Sequence, residues 1–235
     1  MVEPIISTGV KDLDALIENG LPFKSLIHIF GESGTGKSTL AIQCAKNCVL
    51  QGWKVLVLDN EHTCSGARLK NICETESSEI AQSIFVYEPS SFENQSETIE
   101  NLEKYITDKT KMIIIDTITT HYRLALTEKS EKNVVLNREL NRQLALLKDL
   151  AQHFELTVLM TNQVRGTLKR GILKDGIEPV AAAILNYWAD YEIQLGYLPD
   201  RQMIRRTAVL VKAPTNIKKP PIEFLLTEKG IENIE

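Results

Sequence analysis

The stretch SLIHIFGESGTGKSTLAIQC, residues 25–44, decides the fold. Its first part, residues 25–31, is mostly apolar and predicts a buried β-strand, and residues 38–52 predict a helix that ends at Gly52. Between them, GESGTGKS matches the full pattern G-x-x-x-x-G-K-[ST] at residues 31–38. A strand that leads through this pattern into a helix is the setting of a phosphate-binding loop.

Each residue type in this loop has a chemical reason to be there. Three glycines let the backbone wrap closely and aim N–H groups at phosphate oxygens. Lys37 is expected to reach the β- and γ-phosphates of a nucleotide, and Ser38 to offer a hydroxyl to Mg²⁺. The candidate nucleotide-binding residues of the loop are Gly31, Glu32, Ser33, Gly34, Thr35, Gly36, Lys37, Ser38 and Thr39.

Apolar, β-branched runs alternate with helical patterns over most of the chain. Strands are predicted at 54–60, 83–89, 111–117 and 156–164, and helices at 91–106 and 134–154. This alternation predicts an α/β fold with a mostly parallel central sheet flanked by helices. After residue 190 the pattern changes and predicts antiparallel strands that close one sheet edge. With 235 residues, a single domain over the whole chain is the simplest organisation.

Two carboxylates follow predicted strands. Asp116 ends the run IIIDT, and Glu61 comes just after VLDN. The carboxyl ends of parallel strands gather at one edge of a sheet, where ligands bind. Asp116 is therefore a candidate Mg²⁺ ligand with Ser38, and Glu61 could orient or deprotonate a water that attacks the γ-phosphate. The alternatives are that Asp116 caps the next turn and that Glu61 is a solvated loop residue.

The charge distribution points to a local basic segment in an acidic protein. The net charge is −4, so binding to nucleic acid would need a local patch. The stretch TNQVRGTLKRGILKDGIEPV, residues 161–180, carries Arg165, Lys169, Arg170 and Lys174 before its first acid. An ordinary solvated basic loop is the alternative. No apolar run approaches the ~18 residues of a membrane span, and the N-terminus has no signal-peptide pattern, so we expect a cytoplasmic protein without membrane contact.

Taken together, these motifs resemble the RecA superfamily, and more closely its archaeal and eukaryotic strand-exchange recombinases. The similar segments are ISTGVKDLDALIENGLP (6–22), IFGESGTGKSTLA (29–41), LDNEHTCSGARL (58–69), IIIDTITTHYR (113–123) and TVLMTNQV (157–164). Two further segments, ILNYWADYEIQL (184–195) and FLLTEKGIE (224–232), are similar to the RadB family, the short archaeal recombinase paralogues. The order and spacing of the motifs are more specific than any one of them.

The resemblance implies a RecA-like ATPase core that uses ATP and Mg²⁺. It implies that Glu61 is the catalytic glutamate, that Gln163 senses the γ-phosphate and acts with Lys37, and that Arg68 packs on adenine. His62 and Cys64 depart from the family pattern beside Glu61, so hydrolysis is expected to be slow. The longer recombinases carry an N-terminal helical DNA-binding domain and a polymerisation motif, and we expect neither here. An oligomer fits the resemblance better than a long filament.

The same resemblance assigns DNA contacts and partners. The basic run 165–174 matches the second DNA-binding loop of RecA-like proteins, and Tyr122 and Arg123 belong to the first. The second loop has no aromatic residue, so Tyr122 and Arg123 are the candidates for stacking on bases. Single-stranded DNA and the main recombinase of the cell are the implied partners, in DNA repair and homologous recombination. A clock-type RecA-like ATPase that acts on proteins, a small-molecule kinase with a phosphate-binding loop and an ATP-gated module without turnover remain as alternatives. TNQV and DTITTHYR favour the recombination function.

Overall fold

A computed structural model describes residues 4–73, 80–165, 178–198, 204–215 and 218–234. The helices of these residues are α1 Lys11–Leu16, α2 Lys37–Leu50, α3 Gly66–Cys73, α4 Phe92–Asn101, α5 Thr120–Ala125, α6 Ser130–His153 and α7 Ala182–Trp188, and a 3-10 turn, Leu102–Tyr105, continues α4. The strands are β1 Ile5–Ile6, β2 Leu21–Pro22, β3 Ser25–Gly31, β4 Lys54–Asp59, β5 Ile84–Tyr87, β6 Thr110–Asp116, β7 Thr157–Arg165, β8 Glu178–Pro179, β9 Tyr191–Tyr197, β10 Arg205–Lys212, β11 Ile222–Thr227 and β12 Gly230–Asn233.

Across the described ranges, one large sheet organises the fold. Its strand order is β12-β11-β10-β9-β3-β7-β6-β4-β5, and β8 pairs with β7. The six strands from β9 to β5 are parallel, whereas β10, β11 and β12 are antiparallel. The predicted α/β fold with antiparallel strands at the C-terminal edge is confirmed.

The antiparallel part begins one strand later than the sequence predicts. The segment after residue 190 was expected to be antiparallel from its start, but β9 pairs in parallel with β3, Ile27 opposite Tyr191. The chain leaves the carboxyl end of β7 and passes through α7 before β9, and it therefore re-enters the sheet in the same direction as β3. Only β10 reverses the direction.

Helices cover both faces of the sheet and bury β3 completely. On one face, Ile27 and Ile29 pack in a cluster with Leu40 of α2. On the other face, Leu26 packs in a cluster with Leu144 of α6. Each apolar side chain that is buried in this way stabilises the fold by roughly 1.5–3 kcal/mol.

The longest described helix, α6, begins earlier than the sequence predicts. It starts at Ser130 instead of 134, and Val134 and Val135 are exposed in its second turn. The buried side follows the helical repeat through Leu140, Leu144 and Leu147. Among the described residues, no helix has both the length and the apolar character needed to cross a membrane.

The sheet register brings the chemistry-bearing residues to one edge. Gly31 lies opposite Gln163 in the β3–β7 pair, and Asp59 lies opposite Asp116 in the β4–β6 pair. All four lie at or near the carboxyl ends of parallel strands. The site therefore forms where this type of sheet places ligands.

Candidate nucleotide-binding site

The loop between β3 and α2 is shaped as a cradle that excludes side chains. A Cβ added at Gly31 would lie 2.2 Å from the carbonyl oxygen of Leu195 in β9, a separation that atoms do not tolerate. Gly36 is the residue before α2 and has a left-handed conformation, with φ of 101°. Ser38, the candidate Mg²⁺ ligand, lies in the first turn of α2 and is half-buried. The helix therefore points its amino end at the loop, where an anion is favoured.

Lys37 lies inside this loop. Its Nζ donates hydrogen bonds to the carbonyl oxygens of Gly31, at 3.0 Å, and Glu32, at 2.8 Å. Burial lowers the pKa of Lys37, although the negative charges of Asp116, Glu61 and Glu32 act in the opposite direction. The ammonium of Lys37 now donates to carbonyl oxygens of the loop, and it can donate to a phosphate that binds there.

Asp116 is fixed at the end of β6 by hydroxyl groups. It is buried, and its Oδ2 accepts a hydrogen bond of 2.7 Å from Thr63 Oγ1. Its Oδ1 accepts from Thr161 Oγ1 in β7. These described bonds go to neighbouring segments of the sheet edge and not to the turn that follows, which favours the nucleotide-site interpretation over a cap. Mg²⁺ prefers oxygen ligands and retains several waters, so Ser38 and Asp116 suit it.

Arg68 reaches the start of the helix that follows the loop. From α3, its Nη2 donates a 2.8 Å hydrogen bond to Thr39 Oγ1. The structure therefore brings both predicted nucleotide-binding residues together. The adenine contact of Arg68 stays a prediction.

The sequence analysis missed a buried aspartate, Asp59, which shapes the loop that carries Glu61. Asp59 Oδ1 accepts from the backbone N–H of Thr63 at 3.0 Å, and its Oδ2 accepts from that of Cys64 at 2.7 Å. His62, inside this turn, has a φ of 54°. An aspartate at the end of a strand, followed by a short polar loop, often accepts hydrogen bonds from the backbone of that loop, and this signal could have identified the turn.

Glu61 is held by two close donors at the mouth of the site. Its Oε1 accepts from Gln163 Nε2 at 2.7 Å and from Thr120 Oγ1 at 2.9 Å. Thr117 Oγ1 lies 2.6 Å from Thr120 Oγ1 and 3.5 Å from Glu61 Oε1, so Thr117 donates its single proton to Thr120. A half-buried carboxylate with these partners is not an isolated solvated loop residue. Both threonines lie within four residues after Asp116, in the run DTITT, a signal that the sequence analysis did not use.

Gln163 connects Glu61 to Arg123. The Oε1 of Gln163 accepts a hydrogen bond of 3.1 Å from Arg123 Nη1, while its Nε2 donates to Glu61. Because a guanidinium only donates and a carboxylate only accepts, both partners require the same orientation of the amide. The predicted sensor therefore lies between the predicted catalytic residue and a predicted DNA contact.

Tyr122 does not have the position that the sequence suggested. It was expected to be available for base stacking, but it is 6% exposed and packs edge-on against Phe92. Its Oη donates to Asn137 Oδ1 at 2.6 Å. The segment is a helix, α5, and this turn of the helix directs Tyr122 into the core while Arg123 faces the site.

Of the predicted basic run 165–174, the structure describes only the first residue. Lys169, Arg170 and Lys174 lie outside the described residues, and only the backbone of Arg165 is described. Arg165 pairs with Glu178 as the chain returns in β8. Asn162 Nδ2, which the sequence analysis missed, donates to Val180 O at 2.9 Å, and Val180 N donates to Gln163 O at 3.3 Å. Residues 162–165 and 178–180, which flank the segment that is not described, are therefore paired with each other next to Gln163.

Comparisons with known proteins agree with this architecture. The sequence profile of the Rad51 family matches residues 3–234. The chain is 34% identical over 234 residues to the DNA repair and recombination protein RadB of Thermococcus sibiricus, with 98% of this chain and 96% of that protein covered. It is 35% identical over 224 residues to the protein of the same name from Methanococcoides burtonii, with 95% and 96% covered.

A solved structure described as the crystal structure of the RadB recombinase is also similar. It superposes with a TM-score of 0.81 at 31% sequence identity, covering 98% of this chain and 100% of that one. The profile includes every element that carries the site, and the relatives and the superposition cover at least 95% of the chain. The chain belongs to the Rad51 family of RecA-like proteins, in its RadB group.

Proposed function

We propose that the protein is an ATP-binding accessory of DNA repair and homologous recombination. It binds DNA, single-stranded DNA in particular, assists the main recombinase of the cell, and hydrolyses ATP slowly in a DNA-dependent manner. Family membership supports the recombination role, and the arrangement of the site supports the coupling of nucleotide and DNA.

Each residue of the site has a part in this proposal. The loop N–H groups and Lys37 bind the phosphates, and Ser38 and Asp116 hold Mg²⁺, which neutralises developing charge when bound. Glu61 accepts a proton from the attacking water. Its Oε1 is held by Gln163 and Thr120, which fixes the carboxylate at the mouth of the site.

The observation that carries the proposal is the chain of hydrogen bonds from Arg123 through Gln163 to Glu61. A γ-phosphate competes for the Gln163 amide, and a DNA phosphate competes for the Arg123 guanidinium. Binding of either ligand therefore changes the hydrogen bonds of Gln163 that the other ligand meets. In this way the nucleotide state is coupled to DNA affinity.

The basic run 165–174 supplies the larger DNA-binding surface in this proposal. Its four cations neutralise phosphates without reading bases, so the binding depends on salt. Val180 donates its backbone N–H to the carbonyl oxygen of Gln163, so DNA contacts made by the run are transmitted to the sensor in this proposal.

Fluorescence anisotropy of a labelled single-stranded oligonucleotide tests the proposal, with and without Mg–ATP, across about 50–200 mM salt. The test variant neutralises Lys169, Arg170 and Lys174. We expect tight binding by the wild type, weaker binding by the variant and a salt slope that is shallower by about two, since each lost contact to a single strand contributes about 0.7.

The matched control neutralises three exposed lysines, Lys11, Lys104 and Lys109, of which the last two precede β6 at the opposite end of the strands. It has the same net charge as the test variant, and we expect it to bind like the wild type. No binding by the wild type at low salt in either nucleotide state would refute DNA binding and would favour a RecA-like ATPase that acts on protein partners.

A further inference from the structure

Two strands of the antiparallel edge hold the phosphate-binding loop from its outer side. Tyr197, the last residue of β9, donates a hydrogen bond from Oη to Ser33 O at 2.7 Å. Arg206, in β10, donates from Nε to Gly34 O at 3.1 Å. The two side chains therefore bind consecutive carbonyl groups of the loop.

Tyr197 and Arg206 also support each other. They lie directly opposite each other in the β9–β10 pair, and the guanidinium carbon is 4.4 Å from the centre of the tyrosine ring. Arg206 is 7% exposed, and its Nη1 donates to the carbonyl oxygen of Arg205 at 2.9 Å. A buried guanidinium that is stacked on a ring loses little further freedom when it binds a carbonyl group, so the pair is a rigid support.

The loop fits closely against this support. Gly34 has a φ of 76°, and a Cβ at this position would come within 2.6 Å of Tyr197 Oη. Any side chain here would displace the hydroxyl from Ser33 O. Glycine is therefore required at residue 34 by the tyrosine contact as well as by the backbone conformation.

Peptide geometry relates these bonds to phosphate binding. In a trans peptide the carbonyl group and the following N–H point to opposite sides of the chain. Holding the carbonyls of Ser33 and Gly34 outward therefore turns the N–H groups of Gly34 and Thr35 away from the two strands. The N–H of Thr35 makes a long bond of 3.4 Å to Glu32 O, which a phosphate oxygen would replace with a stronger one.

We propose that Tyr197 and Arg206 are positioning residues for the phosphate-binding loop. They orient the N–H donors of Gly34 and Thr35 for the nucleotide phosphates before the nucleotide arrives, and they act through the loop backbone. This inference rests on the proposed nucleotide site and extends it to the antiparallel edge of the sheet. Loss of either support leaves more loop conformations accessible, so nucleotide affinity falls.

Isothermal titration of the full chain with Mg–ADP tests the inference, because it measures affinity and stoichiometry together. Tyr197→Phe removes one neutral hydrogen bond, and we expect about three- to tenfold weaker binding. Arg206→Lys keeps the charge but loses the Nε bond and the planar stack, and we expect about tenfold weaker binding. Because Arg206→Lys keeps the positive charge, a lower Mg–ADP affinity of this variant cannot come from weaker electrostatic attraction to the phosphates.

Two matched variants control for the chemistry of the changes. Tyr187→Phe alters a tyrosine that is 75% exposed on α7, and Arg205→Lys alters the neighbouring arginine, whose Nη1 lies 3.8 Å from Glu223. Both should bind Mg–ADP within about twofold of the wild type. Positioning predicts unchanged stoichiometry and, without nucleotide, a melting temperature lowered by no more than about 2–4 °C in each test variant, the cost of one lost hydrogen bond.

Three results would overturn the inference. Wild-type affinity in both test variants would show that the two supports do not affect the loop. Weaker binding with a falling stoichiometry, or with a melting temperature lowered by clearly more than about 4 °C, would assign them a general structural role. No Mg–ADP binding by the wild type would refute the proposed nucleotide site together with this inference, which distinguishes that failure from the other two.

Discussion

Replacing Glu61 by glutamine separates its proposed role as a general base from its role as a hydrogen-bond acceptor. The Oε1 of the wild-type residue accepts from Gln163 and Thr120 at 2.7 and 2.9 Å, and the amide oxygen of glutamine can accept from both. Glutamine cannot, however, take a proton from water. A positioned general base contributes about 10²- to 10⁴-fold to a rate, so we expect turnover to fall at least about 100-fold.

The cost to stability should be small by comparison. Hydrogen bonds to a charged group contribute about 1 kcal/mol more than neutral ones, and solvent reduces that difference at a half-buried site. We therefore expect the free energy of unfolding to fall by about 1 kcal/mol, which lowers the melting temperature of a domain of this size by about 2–4 °C. Mg–ATP binding should change little, because the loop and Lys37 are untouched.

Single-turnover hydrolysis of labelled ATP, with and without single-stranded DNA, measures the effect directly. Glu97→Gln is the matched control, since Glu97 is exposed on α4 and carries the same change of charge. Turnover of Glu61→Gln equal to that of the wild type, with ATP binding retained, would show that Glu61 is not a working base. The role proposed for the hydrogen-bonded chain would then be wrong.

Three further predictions concern the loop and the buried thiols. Gly34→Ala should weaken Mg–ATP binding, measured by titration, and lower the free energy of unfolding by about 1–3 kcal/mol, measured by thermal melting. The reasons are that residue 34 has a φ of 76° and that an added Cβ would lie 2.6 Å from Tyr197 Oη. Lys37→Met should abolish Mg–ATP binding in the same titration while circular dichroism stays that of the wild type, because a buried ammonium is replaced by an apolar chain of similar length. Burial raises the pKa of Cys44 well above its usual value and that of Cys48 to about 12, so both stay protonated at pH 8, and peptide mapping after thiol labelling should find them unmodified until the protein is unfolded.

The sequence predicts best what depends on local spacing. The strand, loop and helix of residues 25–50 lie within one short segment, and each of them follows from its own residues. The parallel order of the central strands also follows, because the helices between them have to cross the sheet. Asp116 and Gln163 end apolar strands, so their presence at one edge could be expected before any contact was known.

The sequence predicts poorly what depends on contacts between distant segments. Nothing in the run DTITT shows that the hydroxyl of Thr120 donates to Glu61, because threonine is common and its partner lies in another loop. Tyr122 and Arg123 are neighbours, and only the position of α5 decides that one is buried and the other faces Gln163. The support of the loop by β9 and β10 has no local sequence signal at all.

We propose that the nucleotide site and the DNA-binding surface act as one unit through Gln163. The most direct test is the ratio of single-stranded DNA affinities with and without Mg–ATP, in the wild type and in Gln163→Met, which keeps the length of the side chain but makes no comparable hydrogen bonds. We expect a ratio of at least about fivefold in the wild type and close to one in the variant, with each ligand still bound alone. The same ratio in both proteins, or a ratio of one in the wild type, would contradict the account.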